Sequence, residues 1–262
     1  MKTKLDSARS MFTLALFKAK AKATAIHVTL SLLIFGVLLY LMLVHWFPGI
    51  FFALDGGWQG VRIMLFVDVV LGPALTFLVY NPAKTRRALA VDFTFIGVVQ
   101  LAAMIWGIHA VHSRRPLALV YNAAQFYTVR AEAYEQQHWP LENLRQYGDK
   151  APVMIYAEPS TPEAAKKSLD RLFKEGLIEA QQPELYRRYD ENLPAIFKDT
   201  SKVQEVTKGK PELEAELQAL MQKLGGRAED YYYYSFAGEY KTAWLVVDKK
   251  GEIVGTVDVQ DF

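Results

Sequence analysis

Three long apolar runs fill the first part of the chain, at 25–47, 61–80 and 91–112. Each is long enough to cross a hydrocarbon core of about 30 Å, which takes ~20 apolar residues in an α-helix. We therefore expect three transmembrane helices. A signal peptide is the alternative for the first run, but that run is too long and no small-residue cleavage site follows it. A buried hairpin of a soluble protein is the alternative for the other two.

From residue 113 onward the pattern changes to short strands. The stretches "LALVY" and "QFYTVR" are rich in β-forming residues and are separated by "NAA", which predicts a hairpin. The stretch "VMIYAE" predicts another strand, and "AWLVVDKKGEIVGTVDV" predicts a closing hairpin. These strands indicate a sheet in the second part of the chain.

Two helices are recognisable between the strands by their ends. Thr161 before Pro162 predicts an N-cap and a first turn, and Gly176 predicts where that helix stops. One of its faces carries apolar residues, namely Leu169, Leu172 and Phe173. A second helix is predicted from Pro211, with a leucine stripe that we expect to pack in the core, formed by Leu213, Leu217, Leu220 and Leu224. The predicted fold is a three-helix transmembrane bundle followed by a small α+β globular domain over 113–262.

Basic residues in the short flanking segments predict the orientation of the spans. The arm at 1–24 is opposed in charge only by Asp6 and contains Lys2, Lys4, Arg9, Lys18, Lys20 and Lys22. The turn at 81–90 contains Lys84, Arg86 and Arg87, whereas the loop at 48–60 contains no Lys or Arg. We expect the arm and the turn to be cytoplasmic and the domain at 113–262 to be periplasmic, in the inner membrane of a bacterium. Arg114 and Arg115 weigh slightly against this orientation.

Sequence motifs for enzymatic chemistry are missing. The chain has no cysteine, which excludes disulfides and thiolate metal sites. It has no nucleotide loop, dinucleotide fingerprint, nucleophile elbow or zinc-protease motif. His109 and His112 have a spacing that places two imidazoles on one helical face, but no further ligand lies near them. We expect neither an enzyme, nor a cofactor, nor a metal site.

Asp68 interrupts the second apolar run. A carboxylate at the centre of a span costs about 2.5–3.5 kcal/mol on insertion scales, so such a residue normally faces other protein groups. Trp106, Arg62 and His109 are the candidates that the spacing of the spans offers as partners. We expect Asp68 to clamp the bundle together, with direct contact to a partner protein as the alternative.

Gly72 and Pro73 follow in the same run. Pro73 has no N–H to donate to the carbonyl of Val69, so the helix should bend or open there. Gly72 permits the close approach of another helix, which can supply a partner to the freed carbonyl. These features favour a compact bundle over three independent anchors.

The stretch "DYYYYSFAGEY" concentrates tyrosines in a predicted strand. An aromatic strand half in the core is one interpretation. The other is a surface for a partner protein, since tyrosine is enriched at interface centres, and its residues are Tyr231, Tyr232, Tyr233 and Tyr234.

The residues of the second and third runs resemble a known family. The stretch "GGWQGVRIMLFVDVVLGPALTFLVYNPAKTRRALAVDF" is similar to the signature of the TfpX/TfpZ family of type IV pilin accessory proteins. The similarity continues through "QLAAMIWGIHAVHSRRPLALVYNAAQFYTV" to the closing hairpin, and it departs from the family over Lys198–Tyr240. The residues that we single out in the membrane region are Trp58, Gln59, Arg62, Asp68, Gly72, Pro73, Gln100 and Trp106.

The resemblance implies a non-enzymatic inner-membrane accessory factor for type IV pilus biogenesis. Such a chaperone-like factor would assist the assembly or dynamics of a cognate major pilin, which waits in the membrane through one apolar helix that typically carries a glutamate. Partners would be this pilin, other pilus assembly components and membrane lipid, and no nucleic acid. A membrane-anchored periplasmic ligand sensor or binding module is the alternative, although the arm and the turn are short for a cytoplasmic output domain. An enzyme that modifies pilin or lipid is a third possibility.

Overall fold

The computed structural model of the chain describes residues 14–207 and 210–261. These residues form two compact units. The first unit contains the chain up to Val44 and Gly57–His112, and the second contains His45–Gly56 and everything from Ser113 onward. Lys2, Lys4, Asp6 and Arg9 of the predicted arm lie outside the described residues.

Within the described residues, three helices are long and apolar enough to cross a membrane: Leu14–Trp46, Gly57–Val79 and Arg86–Ser113. In chain order, the helical segments up to residue 113 are α1 (Leu14–Leu41), a π-helix (Met42–Trp46), α2 (Phe51–Leu54), α3 (Gly57–Met64), a second π-helix (Leu65–Leu71), α4 (Gly72–Val79) and α5 (Arg86–Ser113). Many of their large apolar side chains are exposed, as expected for surfaces in contact with lipid.

The first helix is longer than the hydropathy pattern predicted. Its described part begins at Leu14 and not near residue 25, so Lys18, Lys20 and Lys22 are helical and not part of an extended arm. Alanine and lysine favour the helix, whereas hydropathy marks only its apolar portion. Lys20 Nζ donates to the carbonyl of Leu78 at 3.1 Å, in the last turn of α4, where helical carbonyls have no backbone donor.

The second helix opens next to Pro73, as predicted. The π-helix Leu65–Leu71 ends immediately before Gly72-Pro73, and the Gly72 N–H donates to the carbonyl of Val67 in the wider π pattern. A proline removes one helical donor and presses on the preceding turn, and a π-helix is one way to absorb both effects. Asp68 lies within this π-helix.

The second unit is built on a mixed seven-stranded sheet, so the predicted combination of apolar helices and an α+β unit is present. The strand order is β4-β3-β1-β2-β5-β6-β7. The strands are β1 (Pro116–Asn122), β2 (Gln125–Arg130), β3 (Val153–Ala157), β4 (Tyr186–Arg188), β5 (Tyr232–Ala237), β6 (Lys241–Val247) and β7 (Ile253–Asp261). The pairs β1–β3 and β2–β5 are parallel, and the other neighbours are antiparallel. Both predicted hairpins, β1–β2 and β6–β7, are confirmed.

Five α-helices accompany the strands of this sheet. They are α6 (Ala131–Gln136), α7 (Pro162–Glu175), α8 (Leu193–Ile196), α9 (Val203–Thr207) and α10 (Pro211–Leu224). The predicted ends of α7 are confirmed, because Thr161 Oγ1 accepts from the Ala164 N–H at 3.1 Å and Gly176 has a φ of 72°. Leu217, Leu220 and Leu224 of the predicted leucine stripe belong to an apolar cluster with residues of β5, β6 and β7, and Leu213 is also buried.

The segment between the first two long helices belongs to the second unit. Phe47, Phe51 and Leu54 of this segment are buried. The Tyr240 N–H donates to the carbonyl of Leu54 at 3.2 Å, which joins the segment to the β5–β6 turn. A stretch that the sequence presented only as a connecting loop is therefore part of a folded domain.

The β1–β2 turn carries strain that a substitution should relieve. Ala123 and Ala124 both have positive φ, 48° and 64°. Glycine adopts this region without the steric cost that a Cβ imposes. We expect Ala124→Gly to stabilise the chain by about 0.5–1 kcal/mol, measured as a raised thermal midpoint by tryptophan fluorescence in detergent. As a control, Ala219→Gly at an exposed helical position should lower the midpoint. A lowered midpoint for Ala124→Gly would contradict the assignment of strain to the β1–β2 turn.

Candidate functional site

A cleft of 770 Å³ lies among the three long helices of the first unit, and we call it the polar cleft after the polar side chains that it contains. Most of its lining is apolar, from residues such as Ile34, Phe93 and Met104. Its polar lining side chains are Lys22, His27, Ser31, Asp68, Thr76 and Gln100. Polar side chains among apolar helices usually mark function, because the hydrocarbon around them offers no alternative hydrogen-bond partner.

His27 and Thr76 connect the first two helices. His27 Nδ1 and Thr76 Oγ1 are 2.6 Å apart in a hydrogen bond, and the Thr76 side chain is almost fully buried. His27 and Thr76 are equally far in sequence from the loop between their helices. His27 precedes the end of the first helix, Trp46, by as many residues as Thr76 follows the start of the second helix, Gly57. Two antiparallel helices with the same rise bring such residues to the same depth. This spacing is the signal by which the pair is recognisable in sequence.

Asp68 is buried, with 7% exposure, and it faces the cleft. The partners considered from sequence are placed elsewhere: Trp106 is 69% exposed, and Arg62 and His109 are also exposed.

Gly72 lets Gln100 reach the second helix. A Cβ added at Gly72 would overlap the side-chain amide of Gln100. Both Gly72 and Pro73 are buried. The close approach that the glycine predicted is present, and the group that uses it is a carboxamide of α5.

Trp58, Gln59 and Arg62 lie outside the lining of the cleft. Trp58 and Arg62 are exposed. Gln59 Oε1 is buried without a hydrogen-bond partner within the described part of the chain. The structure thus brings together Asp68, Gly72 and Gln100 and leaves these three residues apart from them.

The tyrosine stretch is mainly core. Tyr233 and Tyr234 are buried, and their hydroxyls donate to the carbonyls of Ala228 and Ile196 at 2.7 and 3.0 Å. The partner-surface interpretation is wrong for these two, since their side chains offer no area to a partner. Tyr231 and Tyr232 are half-buried, and Tyr232 stacks on Phe197 with ring centroids 4.0 Å apart.

A second buried carboxylate, Asp55, lies in the second unit. It is 1% exposed and accepts hydrogen bonds from Thr128 Oγ1 and the Glu239 N–H, both at 2.9 Å. Burial raises the pKa of Asp55 to about 6, and the two hydrogen bonds and Arg130 oppose that rise. Glu239 is ion-paired with Arg130 at 3.0 Å.

Neither unit shows a metal centre. Among the described residues, no three His, Asp or Glu side chains come together in a group that could hold a metal ion. The polar cleft offers hydrogen bonds and charge to a ligand, and its geometry suits binding.

Known proteins match the chain over much of its length. The fimbrial assembly protein of serogroups C1 and C2 from Dichelobacter nodosus is 33% identical over 106 residues, which are 81% of that protein and 40% of this chain. This chain belongs to the fimbrial assembly protein family. Two further family members from the same organism, of serogroups I and E1, are 26% and 25% identical over 251 residues. Each of these alignments covers 94% of this chain and 97% of the relative. No family profile and no solved structure matches the chain.

The contact between Gly72 and Gln100 predicts a specific steric effect. Gly72→Ala should destabilise this family member by about 1–3 kcal/mol, because the new methyl group collides with the Gln100 amide. Adding Gln100→Ala should recover part of that loss. Gly36→Ala is the matched control, since nothing lies within 4 Å of an added Cβ there. The measurement is the denaturation midpoint in detergent, and equal effects at Gly72 and Gly36 would disprove the contact.

The burial of Asp55 predicts a pH dependence for the His45–Gly56 segment. Its folded pKa of about 6 exceeds the ordinary value of 3.8, so the folded state binds more protons between these values. The docked segment should therefore lose about 2–3 kcal/mol as pH rises through this window. Hydrogen-exchange protection of the Asp55 and Tyr240 amides at pH 4.5 and 7.5 measures the loss.

Asp55→Asn should remove this pH dependence, because an amide does not titrate. Glu239→Gln is the control for the neighbouring carboxylate and should retain it. A wild-type pH profile in Asp55→Asn would show that another group is responsible.

Proposed function

We propose that the chain is a non-enzymatic accessory factor of type IV fimbrial biogenesis that assists the assembly or dynamics of a cognate major pilin. The observation that carries the proposal is the similarity to fimbrial assembly proteins over 94% of the chain. The alignments with the relatives of serogroups I and E1 span the apolar helices and the sheet unit alike. The resemblance to TfpX/TfpZ accessory proteins supports the finer assignment.

The proposed location is the bacterial inner membrane, with the sheet unit in the periplasm. The absence of Lys and Arg from the 48–60 loop and their presence at 81–90 support this orientation. Lys84 is paired with Asp92 at 2.6 Å, which leaves Arg86 and Arg87 as the free cations of the described turn. A pilin helix and its globular head would then meet the two units of the same protein.

The polar cleft is the proposed contact for the apolar helix of the pilin. A carboxylate on such a helix is costly in hydrocarbon unless a donor reaches it. His27, Gln100 and Lys22 supply donors at the cleft, and the Asp68 carboxylate faces it as well. In this role the factor holds a subunit in the membrane without a chemical step.

Small-molecule binding is a second candidate function. The cleft volume of 770 Å³ falls within the range of about 300–1,000 Å³ that is common for ligand pockets. A mostly apolar wall with a few polar groups would suit a lipid-like molecule with a polar head. The experiment below separates the two occupants by the mass of the crosslinked product.

Two phenylalanines of α5 provide a matched pair of crosslinking positions. Phe93 lines the cleft, whereas Phe95 is exposed and lies outside the lining. We expect a photoreactive benzoylphenylalanine at Phe93 to crosslink the major pilin in cells, and the same residue at Phe95 to crosslink mainly lipid. Pilin adducts of equal yield at both positions would rule out the cleft as the contact, and a small-molecule adduct at Phe93 alone would favour the second candidate.

A deletion strain tests the role itself. Loss of this protein should reduce surface fimbriae, measured separately from total pilin by immunoblotting of sheared and whole-cell fractions. Complementation with Asp68→Asn should give normal protein abundance with reduced fimbriae if the carboxylate serves the partner, and reduced abundance if it serves only the bundle. Normal fimbriation in the deletion strain would overturn the proposal.

A further inference from the structure

Helix α7 turns its apolar face outward. Its Leu169 and Phe173 are 54% and 80% exposed, and Leu172 is exposed as well. Ile178, just past the end of the helix, extends the same kind of surface. Among the described residues from Ser113 onward, these four are joined by only one other exposed large hydrophobic side chain, that of Val259. Concentrated exposure of this kind is typical of an interaction surface.

Polar contacts hold α7 in this orientation. Ser168 is its one buried side chain, and its hydroxyl donates to Glu179 Oε1 at 3.3 Å. Gln182 Nε2 donates to the Ser168 carbonyl at 3.2 Å. Arg171 pairs with Glu184 at 2.8 Å. Because the attachment uses the polar side of the helix, the apolar side remains available.

The apolar face of α7 lies at the end of β1 opposite Pro116, where the chain enters the sheet. Pro116 and Asn122 are the two ends of β1, which are about 20 Å apart at 3.3 Å per residue. The side-chain amide of Asn122 donates to Glu179 at 2.8 Å, so α7 belongs to the Asn122 end. The chain enters the sheet at the Pro116 end, and Thr128, which bonds Asp55, pairs with Leu119 in the middle of β1.

The charges beside the apolar face form a row of alternating sign. The row runs Glu163, Lys166, Asp170 and Lys174 at helical spacings of three and four residues, and all four residues are exposed. The Lys174–Asp170 pair within the row is 3.0 Å long and largely exposed, so it adds little stability to the monomer. When two copies of the helix lie antiparallel, each negative residue of this row can face a positive residue of the other copy.

We propose that the apolar face of α7 binds the same face of a second copy of this chain, with the two helices antiparallel. In this register Glu163 meets Lys174 of the other copy and Lys166 meets Asp170, twice each across the two-fold axis. Leu169 then lies next to the axis, and Leu172 lies opposite the small side chain of Ala165. Charge and shape select the same register independently.

One helix face is smaller than the ~1,200–2,000 Å² that a stable soluble interface usually buries. Two copies anchored in one membrane meet at a high effective concentration, which compensates for a small contact. We therefore expect the dimer in membranes, and the test is performed there on the full chain.

The chain has no cysteine, so single cysteines report on proximity without background. Leu169→Cys should form a disulfide-linked dimer in isolated membranes under mild oxidation. Lys167→Cys is the matched control, because Lys167 is exposed on the far side of the same helix and should remain monomeric. Equal yields from the two variants, or a Leu169→Cys adduct with a different protein in place of the dimer, would overturn the proposal.

Charge reversal tests the register. In the Leu169→Cys background, Lys166→Glu and Asp170→Lys should each lower the dimer yield several-fold, because each places like charges opposite one another. The double variant restores opposite charges across the axis and should restore the yield. Yields unchanged in the single variants, or not recovered in the double variant, would contradict the antiparallel pairing, and protease resistance of each variant verifies its folding.

Discussion

Polar atoms inside the three apolar helices must find their partners in one another, because a hydrocarbon surrounding supplies none. This constraint organises the first unit. His27 bonds Thr76 across the first two helices, and Gln100 reaches Gly72 from the third. The π-helix beside Pro73 changes the direction in which Asp68 points, and the aspartate faces the cleft. The interactions that hold the helices together are thus the same ones that make the cleft polar.

A cleft of this composition is suited to a guest that is itself mostly apolar. If every polar group had all its hydrogen-bond partners within the bundle, none would be available to a ligand. An unpaired buried charge, in contrast, would destabilise the bundle. His27 bonds Thr76 through one ring nitrogen, and both His27 and Asp68 line the cleft. This chemistry is compatible with the proposed contact to a pilin helix, and the relatives named fimbrial assembly proteins support a role in fimbrial biogenesis.

The elements of this fold follow from sequence to a large extent, and the reasons for success and failure are physical. Apolar run length located the three long helices, and the Thr161-Pro162 and Gly176 signals located the ends of α7. The hydrogen bond between His27 and Thr76 was not predicted, because a helix pair aligns residues by their distance from the connecting loop and not by their chemical type. The burial of Asp55 could also not be predicted from the sequence, because Asp-Gly-Gly is typical of an exposed turn. The apolar face of α7 was correctly recognised, but its periodicity does not reveal whether the covering surface lies within the same chain.

The hydrogen bond from the Glu239 N–H to Asp55 joins residues that are 184 positions apart. At a synthesis rate of roughly 5–20 residues per second, the partner of Asp55 emerges about 10–40 s after Asp55 itself. Thr128, the other hydrogen-bond partner of Asp55, emerges earlier, with the second strand of the sheet. The contacts of the segment between the first two helices are therefore formed in steps, and they are complete only after the β5–β6 turn has been synthesised.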